Sequence, residues 1–368
     1  DSKKISFSDN SRSIFVADVA SGELTKVSSD VMYGPVRILN HAWSPDSQEI
    51  AFIADCGHDL TNTQAVHNDI YLVGIDNKTA PRRLAELSGY ARALAWTKDG
   101  RSLDFLYVSG ATRLANAVAA GKARVGVIGE GDLELQRVGS IDVASGTLRT
   151  LTADTLYVYE FERSPDGTQI AYTAAPPPGD GNWWVAKLYV QEASANMVQR
   201  VVADPATMQG SLHGLQMALP RWSPDGARIA FIGGLMSDQG SNGGDLYSVP
   251  AAGGVVSDLT PGTAVTPRWF AWTAQDTLLV NQNVKGQVQL AAYTLSGDRA
   301  SIQAPYFNLP ATIGTGSSAL SLSLSADHQR LAFQQSTFEQ APEVHAGTLG
   351  HTPPPAITSL NAAVKPDW

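Results

Sequence analysis

A short motif built around Ser-Pro-Asp-Gly recurs along the chain and constrains the fold more than any other feature of the sequence. Its clearest copy, RWSPDGARIAF, runs from Arg221 to Phe231, and close copies begin at Ala42 and Arg163. Weaker copies begin at Trp96 and Trp272, and a last one at Leu324. The aspartates of the six copies lie 51 to 67 residues apart: Asp46, Asp99, Asp166, Asp225, Asp276 and Asp327. A period of about 50 residues is typical of a propeller or a solenoid.

The motif has the composition of a tight turn between two strands. Proline presets φ at the second turn position, aspartate caps its own backbone, and glycine accepts a positive φ. Short alternating apolar runs stand on both sides and indicate strands. Each copy is therefore predicted to join the first and second strands of a four-stranded blade, with its aspartate serving the turn.

A second repeat follows the motif and supplies the outer two strands of each blade. In its clearest copy, Asp245–Pro250 leads through a glycine pair into Val255–Thr260. Hairpins of the same kind begin at Ile14, Ile70, Val138, Leu188, Leu290 and Val344. These are seven outer hairpins against six inner ones, which predicts seven blades with the first one incomplete.

The repeats predict an all-β fold, a single β-propeller domain of four-stranded antiparallel blades over residues 1–368. Helical periodicity is confined to a short stretch from Leu114 to Ala123, inside an insertion. The expected blades span residues 1–30 (partial), 38–87, 92–153, 157–204, 215–262, 266–305 and 317–361.

Long connections are expected at one end of the blades and tight turns at the other, because successive strands are antiparallel. The long ones are residues 54–68, 109–134, 174–184, 205–216, 233–244 and 308–318. Long loops on a rigid scaffold often carry function, although surface insertions are also tolerated. The loop-rich end is therefore predicted to be a partner surface, with Trp183 and Trp184 as anchors and His58, Asp59 and Asp238 beside them. Packing of the tryptophans under their loop is the alternative.

Composition and motifs exclude several functions. The net charge of −9 and the pI of about 5.2 argue against nucleic acid and anionic membranes as partners. No run of 18 apolar residues is present, and no serine nucleophile elbow, phosphate-binding loop or zinc helix occurs. The single cysteine, Cys56, fits no zinc spacing. His58 and His67 share a loop with Asp59, but a nine-residue spacing is weak evidence for a metal site. Asp238, Asn242 and Asp245 lack the ordered oxygen spacing of a calcium loop, so no metal and no cofactor is expected.

Two carboxylates on one predicted inner strand are candidates for substrate binding. Glu160 and Glu162 alternate in YVYEFER and so point to the same side of the strand, next to Tyr159. A cation site for a peptide amino group is one reading, and an ion pair with Arg163 or a neighbour is the other.

The motif from Phe161 to Tyr172, FERSPDGTQIAY, and its copies resemble the propeller repeats of the prolyl oligopeptidase family, in the style of its acylaminoacyl-peptidase and dipeptidyl-peptidase branches. The ending Ile357–Asn361 resembles the last outer strand before the hydrolase domain of those enzymes. The blades are also similar to those of the periplasmic, TolB-like propeller of the Tol system. The repeat therefore indicates the fold more strongly than the function.

The resemblance implies a propeller that covers an α/β-hydrolase domain and admits only short peptides. We expect a non-catalytic domain of a serine peptidase, with the hydrolase domain and its whole Ser-Asp-His triad following Trp368 in the same polypeptide. The dipeptidyl branch holds substrate amino groups with paired glutamates, which Glu160 and Glu162 match loosely.

The alternative function is that of a free-standing periplasmic interaction propeller, similar to the Tol protein. A propeller enzyme with a central metal or cofactor is disfavoured, because candidate ligands are not clustered in the sequence. The expected partners are the hydrolase domain and peptides, without nucleic acid or membrane insertion. The expected location is soluble, and periplasmic or extracytoplasmic rather than cytoplasmic.

Overall fold

The structure is a computed structural model and describes residues 3–8, 13–27, 37–55, 67–76, 78–111, 133–177, 181–194, 197–236, 242–314 and 322–364. Within these residues the regular structure is strand, apart from one 3-10 turn at Trp183–Val185. No helix in this part of the chain is long and apolar enough to cross a membrane. The expected short helix between Leu114 and Ala123 lies outside the described residues.

The chain divides into two compact units. One comprises Ser6–Val16 and Leu24–Arg200, and the other comprises Asp1–Ile5, Ala17–Glu23 and Val201–Trp368.

In the described part of the chain the first sheet has three strands, which agrees with the incomplete first blade that the repeat count predicts. Its order is β1-β2-β3, formed by β1 (Lys4–Ser8), β2 (Ile14–Asp18) and β3 (Leu24–Lys26).

The second sheet has seven strands because one long strand belongs to two blades. The first half of β7 pairs with β6 and its second half pairs with β8, with the change of partner at Gly89. The expected blades 38–87 and 92–153 are therefore one continuous sheet, which the sequence pattern did not predict. The strands are β4 (Arg37–Trp43), β5 (Glu49–Asp55), β6 (His67–Gly74), β7 (Arg82–Trp96), β8 (Ser102–Ser109), β9 (Gln136–Asp142) and β10 (Leu148–Thr150).

Two four-stranded antiparallel sheets follow, each in simple sequence order. The first consists of β11 (Tyr157–Arg163), β12 (Gln169–Ala175), β13 (Lys187–Glu192) and β14 (Gln199–Ala203). The second consists of β15 (Gln216–Trp222), β16 (Arg228–Met236), β17 (Asn242–Pro250) and β18 (Ser257–Asp258).

The last two sheets each contain a strand position that is split into two short pieces. In the sixth blade, β22 and β23 pair with different parts of β21, and in the seventh, β24 and β25 pair with different parts of β26. With β7 counted once in each half, the described residues form seven blade-sized sheets. These strands are β19 (Thr266–Ala274), β20 (Thr277–Val284), β21 (Gln287–Ser296), β22 (Arg299–Ile302), β23 (Phe307–Leu309), β24 (Thr312–Gly314), β25 (Ser323–Leu324), β26 (Arg330–Ser336) and β27 (Glu343–Thr348).

An aromatic pair across the second and third strands recurs in several blades. Phe52 stacks on Tyr71 with ring centroids 5.4 Å apart, and the rings of Phe231 and Tyr247 are 5.7 Å apart. Both pairs are direct partners across the ladder, the position at which side chains meet most closely. Each sheet thus places large apolar surface at its centre, which stabilises the blade by burial and by ring contact.

Connections leave each sheet at two distinct ends. We call the end with the first-to-second and third-to-fourth turns the turn end, and the other end the loop end. The loop end is less uniform than predicted, because β20 and β21 are joined there by only Lys285 and Gly286. The expected loop 233–244 is also shorter, since β16 and β17 stay paired as far as Met236 and Asn242. The expected loop 308–318 includes parts of β23 and β24.

The Ser-Pro-Asp-Gly turns share one hydrogen-bond pattern at the turn end. Ser223 Oγ donates to Asp225 Oδ1 at 2.6 Å, and the Ala227 amide donates to the same oxygen at 2.9 Å. The corresponding hydroxyl-to-carboxylate bonds at Asp46, Asp99, Asp166 and Asp327 measure 2.6, 2.7, 2.6 and 2.5 Å. Asp276 differs, because Ala274 pairs directly with Thr277 and leaves a two-residue turn, in which Thr277 Oγ1 donates to Asp276.

Replacing Asp225 with alanine is expected to lower the free energy of unfolding by about 1 kcal/mol, because the turn loses the acceptor for one hydroxyl and one amide. Urea denaturation of purified protein measures the change. Asp276→Ala is the matched control, and its effect should be smaller since this carboxylate accepts from a single side chain. Equal losses in the two variants would contradict the capping role of Asp225.

The Asp225 effect should also depend on pH. Hydrogen bonds from the Ser223 hydroxyl and then the Ala227 amide hold the pKa of Asp225 below its ordinary value of 3.8. A depressed carboxyl pKa stabilises the fold above the unfolded-state pKa, and that stabilisation is lost as the pH falls through the folded-state pKa. The difference between wild type and Asp225→Ala should therefore be full at neutral pH and shrink below about pH 4.

Candidate functional site

A bulge interrupts the first strand of most blades at a corresponding position. In β11 the pairing shifts between Val158 and Glu160, so Tyr159 is the extra residue. Equivalent shifts occur in β4, β7, β15 and β19. A bulge changes the direction in which the following side chains point, and the alternating sequence pattern does not reveal it.

The bulge places the three predicted substrate-binding residues in two different environments. Beyond it, Glu160 pairs with Thr173 and Glu162 with Ala171, so both carboxylates lie on the same side of β11. Both glutamates are partly exposed. Tyr159 is buried, and its ring centroid lies 5.2 Å from that of Tyr157. Tyr159 is thus buried beside Tyr157, whereas the two glutamates stay partly exposed.

Two buried polar contacts anchor β11 to the preceding blade. Gln136, which is fully buried, donates from Nε2 to the carbonyl of Val158 at the bulge, 2.6 Å away. Arg92 Nε donates in turn to Gln136 Oε1 at 2.8 Å. The bulge that carries Tyr159 is therefore held from outside its own sheet.

The second contact is a bidentate ion pair between Arg163, at the other end of β11, and Asp104. Arg163 donates from Nε and Nη2 to the two carboxylate oxygens of Asp104, at 2.6 and 2.9 Å. The side chains of Arg163 and Asp104 are only 17% and 3% exposed. Arg163 was the partner that the alternative prediction gave to Glu160 and Glu162. In the structure two nitrogens of its guanidinium donate to Asp104.

The two predicted tryptophan anchors lie in the loop-end connection between β12 and β13. Asn182 orders this segment, because its Nδ2 donates to the carbonyls of Pro176 and Pro177 at 3.0 and 3.3 Å. Within the 3-10 turn that follows, Trp183 is partly buried, whereas Trp184 is 58% exposed. Trp183 is therefore partly covered, whereas Trp184 is open to a partner.

A further aromatic ring stands at a loop end and was missed in the sequence. Phe338 is 87% exposed in the connection between β26 and β27. Thr337 fixes this turn, since its Oγ1 accepts from the amides of Glu339 and Gln340 at 3.1 and 3.0 Å. The available signal was an isolated aromatic residue in the polar run STFEQ.

Three further residues were predicted to lie on the partner surface. His58, Asp59 and Asp238 lie outside the residues that the structure describes. Among the residues that it does describe, no group of three or more His, Cys, Asp or Glu side chains is placed to hold a metal. Asp245 accepts a hydrogen bond from Thr260 Oγ1 at 3.2 Å. Burial and the neighbouring Asp258 raise the pKa of Asp245.

A cavity of about 250 Å³ lies at the turn end of the sixth and seventh blades, where only tight turns were expected. Its lining includes Tyr306, Asp327 and His328. The His328 ring Nδ1 is 3.1 Å from the carbonyl of Thr273, which joins the two turns. The cavity thus lies where the turn that contains His328 contacts the end of β19 at Thr273.

Comparisons with known proteins bear on the fold. No protein-family description matches the chain, and no curated protein sequence matches it. Among solved structures, a prolyl endopeptidase matches 92% of this chain and 45% of its own, with a TM-score of 0.59 and 11% identity. The acylaminoacyl peptidase of Pyrococcus horikoshii matches 95% of this chain and 48% of its own, with a TM-score of 0.58 and 11% identity.

An oligogalacturonate lyase in complex with manganese matches 94% of this chain and 81% of its own, with a TM-score of 0.57 and 11% identity. Structures of TolB are also matched, at a TM-score of 0.46. The seven blade-sized antiparallel sheets and the matches to the two peptidases define the fold as a β-propeller, as the repeats predicted. The chain spans about half the length of the two peptidases that it matches.

Proposed function

We propose that this chain is the non-catalytic propeller domain of a serine peptidase of the prolyl oligopeptidase type, which docks on an α/β-hydrolase domain and limits its access to short peptides. The observation that supports the proposal is a relation of size. The chain is matched over 92–95% of its length by two peptidases of which it spans 45–48%. Under this proposal, the rest of the peptidase is a second domain of similar size to this chain.

The loop end is the surface proposed for docking. Trp184 combines a large exposed ring with a backbone that Asn182 holds in place, so little conformational freedom is lost when a partner covers it. Exposed aromatic side chains on ordered loops are typical anchors of protein interfaces. The domain surface would need on the order of 800 Å² from each side, which the ring and its surrounding loop residues supply in part.

The proposed contribution to substrate binding is recognition of a peptide amino group by Glu160 and Glu162. Both carboxylates lie on one side of β11, and both remain partly exposed. The contacts of Gln136 and Arg163 hold the strand that carries them. A pair of fixed carboxylates favours a cationic group such as an ammonium.

Replacing Trp184 with alanine is expected to weaken docking about 30-fold or more, the effect typical of an interface anchor. The measurement is titration calorimetry of this chain with the hydrolase segment of its own reading frame, added as a separate polypeptide. The control is Val198→Ala, which removes a 79% exposed apolar side chain at the turn end of the same blade. An unchanged affinity in Trp184→Ala, or an equal loss in both variants, would contradict docking at the loop end.

A free-standing propeller is the alternative. The match to the lyase supports it, because there the chain spans 81% of its neighbour and leaves little room for a second domain of equal size. The sequence of the reading frame beyond Trp368 separates the two. A hydrolase segment with a G-x-S-x-G elbow supports the docking proposal, and a stop codon supports the free-standing protein.

A further inference from the structure

Arg268 is a partly buried cation without a counter-charge in the described part of the chain. It is the bulge residue of β19, between Pro267 and Trp269, and so occupies the position that Tyr159 has in β11. Its Nε is buried without a hydrogen-bond partner. The ion pairs found among the described residues do not include it.

Other partly buried arginines of this protein find acceptors. Arg163 is paired with Asp104, Arg92 donates to Gln136, and Arg137 donates from Nε to the carbonyl of Thr152 at 2.8 Å. Burial without a partner is costly for an arginine, since its guanidinium stays charged at any ordinary pH. For Arg268 burial lowers the pKa of the guanidinium. A ligand that supplies the missing anion would remove this cost.

Arg268 lies next to Gly243, where the absence of a side chain leaves room for the arginine. A Cβ at Gly243 would stand 3.3 Å from Arg268 Cδ and 2.9 Å from Thr266 Cγ2. The arginine stem therefore packs against the backbone at the loop end of β17, in the same compact unit as β19. Packing of the stem on a backbone without a side chain restricts the guanidinium, and a restricted guanidinium presents its donors in a defined direction.

The chemistry of a fork of N–H donors favours a planar carboxylate, which it can bind through two parallel hydrogen bonds. Phosphate-rich polyanions suit this protein less well, because a chain with a net charge of −9 repels them at long range. A single carboxylate carries the smallest charge that neutralises the arginine.

We propose that Arg268 binds a peptide carboxylate at the loop end of the sixth blade. The inference rests on the proposed function in one respect, the choice of a peptide as the molecule that carries the carboxylate. The carboxylate is either the C-terminus of the peptide or an acidic side chain, and the same experiment distinguishes them.

The experiment measures binding of three peptides to the 368-residue chain by titration calorimetry: an alanine tetrapeptide with a free C-terminus, its C-terminal amide, and the amide with one internal glutamate. Preference for the first or the third peptide over the plain amide supports the proposal and identifies the source of the carboxylate. Equal binding of all three, or no binding, overturns it. The hydrolase segment is absent, so failure here leaves the docking proposal standing, and failure of docking leaves this result intact.

Variants then assign the site to Arg268. Arg268→Met should weaken binding of the preferred peptide about tenfold or more, and Arg268→Lys should weaken it less. Gly243→Ala should also weaken binding, because the added methyl group displaces the arginine stem. The control is Arg299→Met, which removes an exposed arginine from β22 of the same blade and should leave binding unchanged.

Stability of the unliganded protein gives a second readout. Because Arg268 finds no counter-charge among the described residues, Arg268→Met should melt at the same temperature as the wild type or higher, since an unpaired partly buried charge has been removed. A melting temperature several degrees below that of the wild type would show that Arg268 holds the fold together, and would overturn its assignment as a ligand-binding residue.

Discussion

Replacing Arg163 with methionine is expected to lower the free energy of unfolding by about 3–5 kcal/mol, the range found when one partner of a buried ion pair is removed. The variant leaves the Asp104 side chain, which is only 3% exposed, without the two donors that hold it. It also removes the bond from Arg163 Nη1 to the carbonyl of Gly167, 2.9 Å away in the motif turn. Chemical denaturation of the purified variants is the measurement.

Two controls separate the buried charge from a general effect of losing a cation. The double replacement of Arg163 by methionine and Asp104 by leucine should recover much of the loss, because no unpaired charge remains. Lys78→Met breaks an ion pair with Asp76 whose side chains are 80% and 52% exposed, and it should change the stability little, because solvent screens an exposed pair. A loss below about 1 kcal/mol in Arg163→Met would show that the pair does not anchor β11.

Replacing Gly244 with alanine is expected to cost about 3 kcal/mol or more, because overpacking and backbone strain act together there. A Cβ at Gly244 would overlap the carbonyl oxygen of Gly233 on the paired strand, and the φ of +151° is one that other residues rarely adopt. The contact is with backbone, so no side-chain rotation relieves it. Loss of the β16–β17 pairing near the loop end is the expected structural result.

Gly262→Ala is the matched control for the Gly244 variant. Gly262 also has a positive φ, +68°, but a Cβ there would meet nothing within 4 Å. Its replacement should cost only about 1 kcal/mol, the ordinary effect of forcing a side chain into this conformation. Thermal unfolding of both variants measures the difference. Equal losses of stability in the two variants would show that the close approach of β16 and β17 does not add to the effect at Gly244.

The fold was predictable because its signals are local and repeat. The turn composition around Asp225 and the apolar alternation beside it both describe short segments that fold by the same rules in each copy. The incomplete first blade followed from counting the hairpins. The union of two blades through β7 was not predictable, since a strand that changes partner at Gly89 has the same alternating pattern as two separate strands.

The candidate site was predictable only in part. Placing Glu160 and Glu162 on one side of a strand requires nothing beyond alternation, whereas the burial of Tyr159 depends on a bulge that the pattern does not encode. The lack of a counter-charge for Arg268 among the described residues could not be predicted from the sequence, because it depends on which side chains of other strands lie near the guanidinium. The short loop at Lys285 and Gly286 shows that loop length must be read blade by blade.

The proposed docking through the loop-end connection between β12 and β13 can be tested by hydrogen exchange. The amide exchange of this chain is mapped with and without the hydrolase segment of its own reading frame. Slower exchange on addition of the hydrolase is expected at residues 181–186, around Trp184. Protection confined to the turn end, around Asp46, Asp166 and Asp225, would contradict it.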